Sequence, residues 1–176
     1  TLTSDGRFSE QPSGDLLFLP SDSTRTITLY SRNGYLPKVR GRIGSRPNIY
    51  LTCPHLRQCI SESPQKLNLS YLFQLLDDEL TAAYGQPTRW QEILSPQKDP
   101  LQLLSEDIKN AIRGDGANGE LLWQTVLVQI YPVVRDLYLN LPLSERELFD
   151  QRFNTLFFMH AATQPLVNAK KLMALI

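Results

Sequence analysis

Two sets of side chains in this 176-residue sequence combine reactive chemistry with close spacing. Cys53-Pro54-His55-Leu56-Arg57-Gln58-Cys59 puts two thiols and an imidazole within seven residues. Structural zinc sites usually take four ligands, with cysteines about two to four residues apart. Here five residues separate the thiols, and His160 is the only other histidine. A Cys–His nucleophilic pair needs the two groups face to face, which close sequence neighbours rarely achieve. Cys53, His55 and Cys59 are therefore read as a buried thiol pair beside a surface histidine, and no metal ligand is assigned. The clustered carboxylates are Asp77-Asp78-Glu79 and Glu106-Asp107. On helices, adjacent positions point about 100° apart, so these make poor acid–base pairs and solvated helix faces are expected.

The stronger candidate is cationic. Residues 23–61 hold Arg25, Arg32, Lys38, Arg40, Arg42, Arg46 and Arg57 and not one acid. The formal net charge is nevertheless zero, with 18 basic and 18 acidic residues in all, so the rest of the chain is acidic. Two readings stay open: a segment that faces an anionic ligand, or two opposed surfaces that pair within the fold. Ser31-Arg32 ends a predicted strand. At the corresponding place in a dinucleotide-binding fold the chain meets the adenosine ribose, where Ser and Arg suit a 2′-phosphate. Trp123, Tyr131, Tyr138, Phe149, Phe153, Phe157 and Phe158 could line a flavin or apolar substrate, although their helical spacing favours core packing.

The elements that must position these groups fall into two regimes. Before Leu67 the chain is rich in Pro, Gly, Ser and Thr. Residues 24–30 (TRTITLY) read as a strand, followed by a turn at Asn33-Gly34. The run Leu16-Leu17-Phe18-Leu19 is too short to assign, and glycines and prolines from Gly41 to Pro54 predict a basic loop. After Leu67 the apolar period becomes helical. Leu69, Leu72, Leu75, Leu76, Leu80 and Ala83 mark one helix, with Asn68 or Ser70 as cap and Gly85 as stop. A short helix is expected over 88–94, and another starts at Asp99-Pro100. A helix over 120–139 should kink at Pro132. Ser144 and Glu147 read as a capping box, and a last helix begins near Gln164-Pro165. The expected fold is mainly α: a helical bundle over 67–176, preceded by a β-strand and basic-loop segment over 1–66.

Tyr30-Ser31-Arg32-Asn33-Gly34-Tyr35-Leu36-Pro37, an S-R-x-G-x-L-P pattern after a strand, resembles the FAD/NAD(P)-binding oxidoreductase-like proteins related to flavin-dependent N-hydroxylating monooxygenases. Leu121-Leu122-Trp123-Gln124 through Tyr131-Pro132, and Leu141-Pro142-Leu143-Ser144-Glu145-Arg146, are similar to that family's helical region. Phe158-Met159-His160 and Pro165-Leu166-Val167-Asn168-Ala169 are similar to its closing stretch. The resemblance implies a part of a larger α/β flavoprotein that uses FAD and NADP. Ser31 and Arg32 would lie at the ribose phosphate as one edge of the nicotinamide site, and the remainder of the parent polypeptide would be the partner. It further implies that the helical region covers a substrate cleft or mediates assembly. This sequence departs from the family by having no G-x-G-x-x-G between a strand and a helix, the one at Gly114–Gly119 following a predicted helix, so the chain alone is expected not to transfer hydride. The other open reading is a non-enzymatic helical module that docks an anionic partner through the basic loop.

Composition sets the outer limits. A balanced charge argues against a dedicated nucleic-acid binder. An apolar fraction of 41% argues against disorder. No apolar run reaches the roughly 18 residues of a membrane span. Two cysteines suit a reducing, cytoplasmic setting rather than a disulfide scaffold. The start at Thr1, without signal-peptide features, and the apolar end at Ile176 fit an excised piece.

Overall fold

Three helices, beginning at Cys53, Leu69 and Pro100, start where a side chain satisfies a free backbone group of the helix end. The structure, a computed structural model, describes residues 6–21, 36–94 and 99–176. Asp99 accepts from the Leu101 N–H at 2.8 Å and opens the helix Pro100–Arg113. Asn68 accepts from the Tyr71 N–H at 2.9 Å and opens the helix Leu69–Tyr84, which Gly85 closes at φ 68°.

The described residues form a mainly helical fold with a small N-terminal sheet. β1 (Gly6–Glu10) and β2 (Leu16–Pro20) pair antiparallel, with Phe8 opposite Phe18 and their rings 5.1 Å apart. The helices are α1 (Cys53–Glu62), α2 (Leu69–Tyr84), α3 (Trp90–Leu94), α4 (Pro100–Arg113), α5 (Leu122–Ile130), α6 (Val134–Asn140), α7 (Leu143–Leu148), α8 (Asn154–Ala161) and α9 (Leu166–Leu175). The hairpin rests on α9, where Lys170 donates to the Gly14 carbonyl and the Lys171 ammonium lies 5.4 Å from the Phe8 ring.

Three local readings need correction. The helical regime begins at Cys53, well before Leu67. Thr52 caps α1 by accepting from the His55 N–H, and Pro54 suits the first turn. Only Leu56 and Cys59 of α1 are buried, too few positions to show a period. Secondly, no capping box forms at Ser144 and Glu147. Helix α7 starts just after Pro142, which places Ser144 inside the first turn, where it cannot cap. Its neighbour Glu145 instead accepts from the Leu69 N–H at 2.8 Å, at the start of α2. Thirdly, the unassigned run at Leu16 is strand β2. The break at Pro132 is as expected: a 3₁₀ turn, Tyr131–Val133, separates α5 from α6.

Residues 39–51 form no regular element, yet they are firmly seated. Helix α5 holds this strap through three polar side chains in an otherwise apolar sequence. Gln124 donates to the Val39 carbonyl at 2.7 Å and accepts from the Gly41 N–H at 3.0 Å. Thr125 accepts from the Gly44 N–H at 2.8 Å. Gln129 donates to the Arg46 carbonyl at 2.6 Å and accepts from the Asn48 N–H at 2.9 Å. Isolated parallel bridges from Val39 to Gln164 and from Arg42 to Glu120 meet further backbone needs of the strap.

Its last turn is fixed by Glu79, which is 0% exposed. One carboxylate oxygen, Oε2, accepts from the N–H groups of Ile49, Tyr50 and Leu51 at 2.7, 2.6 and 3.1 Å. The other, Oε1, lies 3.7 Å from Arg46 and has no hydrogen bond among the described residues. Glu79 therefore leaves the solvated face expected of the Asp77-Asp78-Glu79 cluster, because three convergent N–H groups compensate its charge. Leu51 and Leu56 then pack with Leu67, Leu69, Leu80 and Val126 in one apolar cluster. A second cluster joins Val39, Leu104, Ile108 and Leu121 to Ala169.

This ordering of partners is testable by urea denaturation. Glu79→Ala should cost about 3–5 kcal/mol, because it strands buried N–H groups. Arg46→Ala, at a side chain 31% exposed, should cost no more than about 1 kcal/mol. Equal losses would show that the ion pair, not the N–H cradle, secures the strap.

Candidate functional site

The packing of α2, α4, α5, α6 and α8 leaves a groove of about 1910 Å³. All seven aromatic residues singled out by sequence line it. Tyr138, Phe149, Phe157 and Phe158 touch one another and Phe153 touches Phe73, so packing and lining are one role for these five. Phe73 meets Trp90 edge-on at 6.0 Å and Phe153 at 4.8 Å. Tyr138, Phe149, Phe157 and Phe158 continue the series at 6.0, 5.8 and 5.5 Å. Phe149 and Phe153 bracket a π-helical turn between α7 and α8. Such widened turns interrupt a helix's regular geometry and are frequent at functional sites.

Trp90 is held in this wall because its indole N–H donates to Asp77 at 2.7 Å. Tyr84, also on the lining, donates to Asp115 at 2.7 Å. Burial and that bond push its phenol far above the ordinary tyrosine range. Asp115 accepts as well from the Leu122 N–H at 2.8 Å, capping α5 and tying α2 to it. The loop that carries Asp115 turns at Gly114, where φ is +71° and a Cβ would strike the backbone of Gly119.

Polar side chains interrupt the wall in several places, and one of them is a patch around Asp107. Lys38 donates to Oδ1 of Asp107 at 3.0 Å, with side chains 24% and 18% exposed. His160 stacks edge-on against Trp123 at 5.3 Å and acts electrostatically on Asp107. Burial raises the Asp107 carboxyl above its ordinary value, opposed by Lys38 and His160 and reinforced slightly by Glu106. Sequence spacing gave no sign of this patch, since its members lie on the strap, α4 and α8. Thr88 and Asn154, also on the lining, each have a buried side-chain oxygen without a hydrogen bond among the described residues.

The other sequence-predicted groups are dispersed. Cys53 donates to the Gln129 carbonyl at 3.0 Å, Cys59 lies 3.8 Å from the Ser63 carbonyl, and His55 bonds the Tyr71 hydroxyl at 2.8 Å. Among the described residues no three potential ligands converge on a metal position. Ser31, Arg32 and the predicted strand over 24–30 lie outside the described residues. Of the remaining cations, Lys38 pairs with Asp107, Arg40 donates to Thr163, Arg42 donates to the Asn118 carbonyl, and Arg46 faces Glu79. The strap's charge is thus largely directed into the chain itself. No helix among the described residues is long and apolar enough to cross a membrane. Comparison with protein-family models, curated proteins and solved structures gives no match.

The raised Asp107 carboxyl predicts a pH dependence. Above the ordinary aspartate value of 3.8, folded Asp107 keeps its proton longer than the unfolded residue does. The folded state then binds more protons, so stability falls as pH rises through that window. The stability of the wild type relative to Asp107→Asn should fall from about pH 4 upward, measured by urea titration at each pH. A relative stability that rises with pH would contradict the assignment.

Proposed function

We propose that this chain is the helical, substrate-facing part of an FAD/NAD(P)-dependent oxidoreductase-like protein. The observation that carries the reading is the groove with its run of aromatic side chains, the kind of concavity that binds apolar ligands. Support comes from overlap with the family resemblance. Trp123, Tyr131, Phe158 and His160 belong to the blocks that resemble the family and also line the groove.

In this reading FAD and NADP are held by glycine-rich strand-to-helix turns outside this chain, and the chain's own share is Ser31 and Arg32. Arg32 would pair with the 2′-phosphate and Ser31 would donate to it. The groove receives the apolar body of the substrate and keeps water from it. The reading as a docking module for an anionic partner weighs less, because Lys38, Arg40, Arg42 and Arg46 already face partners within the chain.

Two measurements test the proposal. Trp90 and Trp123 are the chain's two tryptophans and both line the groove. Bromobenzene should therefore quench their fluorescence saturably, whereas purely linear quenching would remove the groove from the reading. In the full polypeptide, calorimetry should find NADPH bound at least about tenfold more tightly than NADH, with the preference lost in Arg32→Ala. Equal affinities for the two would remove the nicotinamide-phosphate role.

A further inference from the structure

We propose that the groove selects an uncharged aromatic ligand bearing a hydroxyl, which donates a hydrogen bond to Oδ2 of Asp107. This rests on the groove being a ligand site and adds the chemistry that the polar patch would recognise.

The argument follows from hydrogen-bonding capacity. Asp107 spends Oδ1 on Lys38, while Oδ2 has no hydrogen bond among the described residues and the side chain keeps some exposure on the groove wall. Two buried wall atoms are left without a partner among the described residues: Asn154 Oδ1, an acceptor as placed, and Thr88 Oγ1, a hydroxyl that takes either role. A ligand that donates therefore satisfies the wall, whereas one that only accepts leaves it short. Arg113 and Arg135 also line the groove, but at exposed positions where water serves their donors.

Charge narrows the class. Lys38 neutralises Asp107 at 3.0 Å, so a cationic head must give up its water for an acid already paired. An anionic head meets the Asp107 carboxylate of the same pair. A neutral hydroxyl avoids both penalties and still gains a bond to a charged acceptor. The body is aromatic because the wall offers ring edges and faces in sequence from Trp90 through Phe73 to Phe153.

Calorimetry with 2-naphthol and 2-methoxynaphthalene at about pH 8, above the carboxylate range, tests this. The two share an apolar body and differ in the donor. The proposal expects 2-naphthol to bind about 10- to 100-fold more tightly, with that advantage gone in Asp107→Ala. Binding of 2-methoxynaphthalene to Asp107→Ala should match the wild type and so report an intact groove. If that variant fails to fold, Asp107→Leu takes its place, filling the same volume without an acceptor. Equal wild-type affinity for the two compounds, or an advantage that survives loss of the carboxylate, overturns the hydroxyl proposal and leaves the groove in place. No binding of either compound overturns both.

Discussion

A buried carboxylate governs how this chain is put together. Glu79 gives up all contact with water and is compensated by three consecutive backbone N–H groups aimed at one oxygen. That arrangement fixes the backbone at residues 49–51 against the middle of α2. Everything upstream then has to approach α5 along one line, and everything downstream enters α1 at a set angle. Leu51 falls into the main apolar cluster as a direct result, and Leu56 follows one turn into α1.

The strap and the groove are consequently parts of one construction. Val39 and Leu51 are buried in different clusters, yet both contribute to the groove lining. Lys38, beside Val39, brings its ammonium to Asp107 on α4. The segregated charge of the sequence finds its physical meaning here. A run of cations without local acids cannot pair with itself, so it reaches across the fold for carbonyls and carboxylates on α4, the 114–120 loop and α2. Of these cations, Lys38 and Arg46 face carboxylates within the fold, whereas Arg40 and Arg42 reach neutral acceptors.

Legibility from sequence followed the range of the interactions involved. The helices over 69–84 and 100–113, and the break at Pro132, rest on caps and periodicity within a few residues, and such signals are local. Beside Asp77 and Asp78, Glu79 reads as a surface acid, because its partners lie about thirty residues upstream, beyond any local signal. Gln124, Thr125 and Gln129 offered one available clue: polar side chains recurring in an otherwise apolar helix (LWQTVLVQI). The aromatic residues were picked out correctly as a set, but periodicity cannot distinguish a packed ring from one that also borders a groove. The Lys38–Asp107–His160 patch brings together three distant segments, and no spacing rule addresses such a meeting.

The bonds from α5 to the strap join residues some eighty positions apart. During synthesis from the N-terminus, residues 39–51 emerge long before the side chains that receive them exist. Their carbonyls and N–H groups must stay hydrated until α5 is complete, while Glu79 becomes available partway through. The carboxylate can thus capture residues 49–51 first and hold the strap near its later position. Such early closure of a loop of about thirty residues shortens the remaining search, since long-range contacts are slow when ends must meet unaided. The acid that costs most to bury is also the earliest long-range partner the strap can find.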